Sequence, residues 1–198
     1  MECTIDGPAG PIPATFDEAA AFAEAAAGHG DRRCCVLAHP HPQCGGSRHD
    51  MVIGSLVPGL VADGVSCLRF DFRRDAEDLV AAGVEDLLVA AAWLRERTGA
   101  TALHLVGYSF GSVVVATATA HCDADRCTLV APPVGAMTVP TPTRPVRIVA
   151  GEADAFAPVA DLERYRANAP AGSELILLPG VDHFFHGAAP ALAEACLS

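Results

Sequence analysis

The sequence predicts an α/β fold, a mostly parallel sheet with helices packed on both faces. Three observations carry that prediction. Short β-rich apolar runs alternate with longer stretches whose apolar residues recur at helical spacing. One strand-to-helix junction, "HLVGYSFGSVVVA" at 104–116, sets Ser109 between two glycines. The connection "APPVGAMTVPTPTRP" at 131–145 has no helical period and reads as a loop, too short for a cap domain. A chain of 198 residues fits one domain, 1–198, and can bury a sizeable core.

Taken in order, "TFDEAAAFAEAAAGHG" (15–30) is alanine-rich and predicts a helix closed by Gly28 or Gly30. "CCVLA" (34–38) is the first predicted strand. Val52, Ile53, Leu56, Val57, Leu60 and Val61 then repeat at helical spacing, with Asp50 placed as the N-cap. "SCLRF" (66–70) is the next strand. A second helical pattern runs from Leu79 through Leu94 and stops at Gly99. The remaining strands are "ALHLV" (102–106), "CTLVA" (127–131), "VRIVA" (146–150) and "ELILL" (174–178), and a last helical pattern begins near His186.

Composition removes several classes of function. A formal charge of −11 with no basic run argues against nucleic acid or an anionic membrane surface as partner. No apolar run is long enough to span a bilayer. Eight cysteines would suggest disulfides in a secreted chain, but "MECTIDGPAG" lacks the basic and apolar regions of a signal peptide, so a cytoplasmic location is expected. Cys34, Cys35 and Cys67 lie inside apolar runs, where reduced cysteine behaves as a small buried hydrophobe. The C-x-x-C spacing of a zinc knuckle is missing.

A strand, G-x-S-x-G and a helix form a nucleophile elbow. The turn exposes the Ser109 hydroxyl and aims the backbone N–H of Phe110 at a bound oxyanion. A hydroxyl is a poor nucleophile until a histidine takes its proton, and that imidazole needs a carboxylate to orient it. The expected chain order is Ser, acid, His. "VRIVAGEADAFAP" places Glu152 and Asp154 after one late strand, and "ELILLPGVDHFFHG" places His183 and His186 after the next. Asp154, deeper in its turn than Glu152, is the expected acid, and His183 the expected base. The second oxyanion donor is expected from the loop "HPHPQCGGSRHD", where Pro40 and Pro42 have no N–H and His41, Gln43 and Cys44 keep theirs; His41, by its position just beyond the strand, is the candidate. His39, Gln43, Tyr108, Phe156 and Phe184 are candidate substrate contacts. Val134, Met137 and Val139, with Phe110, Phe156, Phe184 and Phe185, are candidates for an apolar pocket. His39, His41 and His49 lack the carboxylates usual in a metal site, so neither metal nor cofactor is expected.

Together "LAHPHPQCGGSRHD", "LRFDFR", "LVGYSFGS", "GEADAFAP" and "DHFFHG" resemble the small, lid-less bacterial α/β-hydrolases related to dienelactone hydrolase, over roughly residues 34 to 190. The resemblance implies the α/β-hydrolase fold with seven or eight strands. It also implies a Ser109-Asp154-His183 triad and an oxyanion hole from the N–H groups of His41 and Phe110. Dienelactone hydrolase itself uses a cysteine nucleophile, so its lactone substrate does not transfer to a chain with Ser109. The expected activity is hydrolysis of a small-molecule ester or thioester through an acyl-enzyme. Acyl transfer or cyclisation at the same site, and a non-catalytic binding protein that keeps the fold, are the alternatives; homodimer formation stays open.

Overall fold

The computed structural model describes residues 1–19 and 32–197. Eight strands form one sheet: β1 (Glu2–Gly7), β2 (Gly10–Asp17), β3 (Arg33–Ala38), β4 (Val65–Phe70), β5 (Ala102–Tyr108), β6 (Arg126–Val130), β7 (Arg147–Gly151) and β8 (Glu174–Leu178). Their spatial order is β1-β2-β4-β3-β5-β6-β7-β8. β2 runs antiparallel to both β1 and β4, and every pairing from β4 through β3 to β8 is parallel. The described helices are α1 (Met51–Ala62), α2 (Leu79–Thr98), α3 (Phe110–Ala118), α4 (Val159–Asn168) and α5 (Ala189–Leu197), with a short 3-10 turn at Pro42–Cys44.

The parallel strands are buried on both faces, which is why they read as continuous apolar runs. In β3, Cys34, Val36 and Ala38 point into the core shared with α2 and α3, while Cys35 and Leu37 point into the core under α1 and α5. The thiols expected to be buried are buried and unpaired at Cys34, Cys35 and Cys67. Desolvation pushes the Cys34 thiol up to about 11, which keeps it inert at neutral pH.

The helix predicted over 15–30 is corrected at its start. Thr15, Phe16 and Asp17 are strand residues facing Arg69, Leu68 and Cys67 of β4. Phe16 is buried and packs edge-on against Trp93 of α2 at 5.9 Å, so tertiary packing overrides local propensity here. The rest of that predicted helix, from residue 20 onward, lies outside the described residues. Proline hides β2 in the sequence, yet Pro11 and Pro13 precede the register with β4, which begins at Ala14, and on that side Pro13 only accepts, through its carbonyl, from the Asp71 N–H. α4 carries almost no apolar signal, since Leu162 is its only buried residue.

Asp50 and Gly99 end their helices as predicted. Asp50 accepts the N–H groups of Val52 and Ile53, and Gly99 takes the left-handed conformation at φ 58°. No helix or strand interrupts residues 131–146 between β6 and β7, so no cap domain is inserted there. Among the described residues no helix is long and apolar enough to cross a membrane. The loops after β3, β5, β7 and β8 all leave the same carboxyl edge of the parallel sheet, where open α/β sheets place their sites.

Candidate active site

Ser109 follows β5 and precedes α3 with φ 52° and ψ −116°, a backbone conformation that L-residues rarely adopt. Its N–H is tied to the Val130 carbonyl of the neighbouring strand at 2.9 Å. Because of that conformation the side chain does not cap α3, although serine at this position usually would. The hydroxyl is left free to face the site. Both flanking glycines are required by close approach: a Cβ on Gly107 would sit 2.2 Å from the Gly111 carbonyl oxygen, and one on Gly111 would sit 2.2 Å from that of Ala38.

The other two groups come from the loops after β7 and β8, which are bound to each other. Glu152 donates its N–H to the Leu178 carbonyl and Ala153 to that of Val181. This brings Asp154 against His183: Nδ1 of His183 lies 2.7 Å from Asp154 Oδ2, and Nε2 lies 3.1 Å from Ser109 Oγ. The Asp154 side chain is fully buried. Its other oxygen accepts the N–H groups of Phe156 and Ala157 at 2.8 and 3.1 Å. With Nδ1 donating to the carboxylate, Nε2 is left as a hydrogen-bond acceptor facing the Ser109 hydroxyl. Ser109, Asp154 and His183 are thus the residues of the sequence expectation that the fold brings together.

Their neighbours are placed otherwise. Glu152 is exposed. His186 is also exposed and bonds Asp182 through Nδ1 at 2.7 Å. That bond, with N–H donations from Phe184 and His186 to the other Asp182 oxygen, fastens the turn that carries His183 and holds the Asp182 carboxyl below its ordinary range.

Phe110 opens α3, so its N–H has no intrahelical acceptor. Among the described residues the His41 N–H makes no backbone bond, while the His41 carbonyl accepts from Cys44 and Gly46 and so curls the loop. The His41 ring packs on Phe110 at 4.9 Å.

Ser109 and His183 open onto a cleft of about 490 Å³, within the range of small-molecule sites. Of the expected substrate contacts, Tyr108, Phe156 and Phe184 line it, as do His41 and Met137. The Tyr108 hydroxyl is spent, donating to the His183 carbonyl at 3.1 Å, and burial pushes it well above the ordinary phenol range. Two candidates are corrected. His39 is fully buried: its Nδ1 donates to the Pro40 carbonyl at 2.6 Å and its Nε2 accepts the Phe72 N–H at 3.0 Å. Desolvation holds it neutral, its pKa lowered to about 4, and it serves as a brace between two loops. Gln43 is outside the cleft lining and donates to the Arg74 carbonyl at 3.1 Å, pinning the same loop. Phe110 and Phe185 fill the two cores instead of the pocket, and Val134 and Val139 pack on the core beneath it.

The sequence reading missed Cys44, Asp50, Pro133 and Ala136 as cleft residues. Asp50 was legible only as a helix cap. Among the described residues no group of three or more His, Cys, Asp or Glu side chains could hold a metal ion.

The chain is similar in structure to an α/β serine hydrolase without a lid from Xanthomonas campestris, with 26% identity and a TM-score of 0.84 over 98% of this chain and 90% of that one. An α/β serine hydrolase homologue from Coxiella burnetii matches at 25% identity and a TM-score of 0.84, over 98% of this chain and 94% of that one. A dienelactone hydrolase from Anabaena variabilis shares the fold at 16% identity and a TM-score of 0.79, over 99% of this chain and 94% of that one. No protein-family model and no curated protein matches the sequence.

Proposed function

We propose that this chain, a small α/β-hydrolase without a lid, is a serine hydrolase of small-molecule esters or thioesters, working through an acyl-enzyme from one domain spanning 1–198. The observation that carries the reading is the unbroken contact from Asp154 through His183 to Ser109, at 2.7 and 3.1 Å.

Ser109 gives its proton to Nε2 of His183 as Oγ attacks the substrate carbonyl. Asp154 stabilises the imidazolium and holds its tautomer. The N–H groups of Phe110 and His41 receive the oxyanion; one such donor is worth about 10²- to 10³-fold in kcat. Collapse expels the alcohol or thiol, which takes the proton from His183. Water then gives a proton to His183, attacks the acyl group, and the acid leaves as Ser109 recovers its hydrogen. The two prolines of the His41 loop and the braces from His39 and Gln43 support preorganised donors, since a donor that must move loses its advantage.

A fluorophosphonate probe tests the reading directly. Labelling of Ser109, lost in Ser109→Ala, is the expected result. Folded protein that resists labelling would favour a non-catalytic binding role. Acyl esters and thioesters of graded chain length then define the substrate.

A further inference from the structure

The cleft holds a charged group that the proton relay does not use. Asp50 accepts the N–H groups of Val52 and Ile53 with Oδ1, at 2.9 and 3.3 Å. Among the described residues no donor reaches its Oδ2, and that atom is not sealed inside the protein. The residue lines the cleft beside Tyr108, Ser109 and His183. Partial burial pushes its carboxyl above the ordinary range, the signature of a carboxylate short of solvation.

No guanidinium or ammonium group in the lining opposes that charge. The chain contains no lysine, and none of its arginines lines the cleft. The Asp154 carboxylate is fully buried and engaged with His183. The N-terminus of α1 offsets Asp50 in part, but it does so through the Oδ1 side and leaves Oδ2 open. Phe156 and Phe184, 45% and 55% exposed, flank the His183 ring with centroids at 4.8 and 5.5 Å and leave aromatic surface in the cleft. A carboxylate and aromatic rings in a cleft lined by no arginine or lysine are what a positively charged amine requires, through Coulomb attraction and cation–π contact.

We propose that Asp50 is a specificity-determining residue which, with Phe156 and Phe184, selects esters or thioesters bearing a cationic amine on the part seated in the cleft and disfavours carboxylate-bearing ones. This rests on the serine hydrolase reading above. A neutral substrate uses only the apolar walls, and an anionic one faces Asp50 with no arginine to meet it.

Two sets of thioesters test it. In the first, a butyryl group is carried on a thiol ending in trimethylammonium, in its neutral tert-butyl isostere, or in carboxylate. In the second, the same three groups end the acyl chain on a common neutral thiol. Each compound is read by thiol release and by protection of Ser109 against a neutral fluorophosphonate, so a slow substrate still reports. The cationic member should exceed the neutral isostere by about tenfold in at least one set, with the carboxylate weakest. Asp50→Asn and Asp50→Ser keep a side-chain cap on α1 and should bring the cationic-to-neutral ratio within about twofold of one, at an unchanged melting temperature. A wild-type ratio near one in both sets, or a preference that survives both variants, overturns the role of Asp50. Labelling of Ser109 without charge preference sinks that role alone. No labelling sinks the hydrolase reading and this inference with it.

Discussion

Ser109 holds its hydroxyl 3.1 Å from Nε2 of His183 on a backbone at φ 52°, and the strain is anchored by its N–H bond to Val130. Removing one oxygen from such a position leaves the anchor in place. Ser109→Ala should therefore lower kcat by about 10⁶-fold, the scale for losing a nucleophile, with a melting temperature like that of wild type. Residual turnover near the wild-type rate in pure protein would end the assignment. The two acids separate cleanly: Asp154 is buried with both oxygens engaged, and Glu152 is exposed. Asp154→Asn should cost about 10⁴-fold in kcat, and Glu152→Gln should be nearly silent. The reverse order in a steady-state assay would transfer the role. His183 reaches the Ser109 hydroxyl, whereas His186 bonds Asp182 at the surface. His183→Ala should therefore cost about 10⁶-fold in kcat and His186→Ala little; near wild-type turnover in His183→Ala would count against the base.

At the level of elements, the site depends on how closely the turn after β5 approaches the end of β3. Gly111 admits no side chain, because a Cβ there would meet the Ala38 carbonyl oxygen at 2.2 Å and the backbone has nowhere to yield. Gly111→Ala should lose about 3 kcal/mol or more in urea unfolding, together with activity, since the elbow and the loop carrying His41 move apart. A fully stable, active variant would show that the contact is not limiting. The caps on the helices act more locally. Asp78 accepts the N–H groups of Val80 and Ala81, each at 3.0 Å, on the exposed start of α2. Asp78→Ala should cost about 1 kcal/mol of stability and leave kcat unchanged, which separates structural from catalytic carboxylates.

Across the whole molecule, pH acts on stability through two desolvated imidazoles, His39 and His104. The folded pKa of His39 lies near 4 because of desolvation, below its ordinary 6.5, so the unfolded chain takes up its proton first as pH falls. The stability tied to this group is complete above about pH 6.5 and is lost progressively toward pH 4, with about 2 kcal/mol gone by pH 5. Urea unfolding between pH 6.5 and 5, above the carboxylate range, should show that slope. His39→Gln should remove about half of it and leave the part due to His104, whose pKa desolvation lowers to about 3; an undiminished slope in the variant would assign the effect elsewhere.

Much of this architecture was legible in the residues themselves. Apolar runs buried on both faces, the Asp50 and Gly99 helix ends and the G-x-S-x-G junction are local patterns, and each imposes its conformation within a few residues. The chain order of Ser109, Asp154 and His183 was legible for the same reason, since each follows a recognisable strand. What needed the tertiary structure was whatever depends on partners distant in sequence. β2 exists because Ala14 to Asp17 find β4, against the alanine-rich stretch that follows. His39 and His41 look alike in "HPHP", and only the position of Phe72 decides that one ring is a buried brace while the other lies at the cleft. Asp50 reads as a cap from sequence because capping is a bond to residues two and three places on; its place in the cleft lining is set by β5 and the loop after β8, which line the same cleft. Local sequence decides conformation over a turn or two, whereas which side chains share one small volume is decided by packing across the sheet.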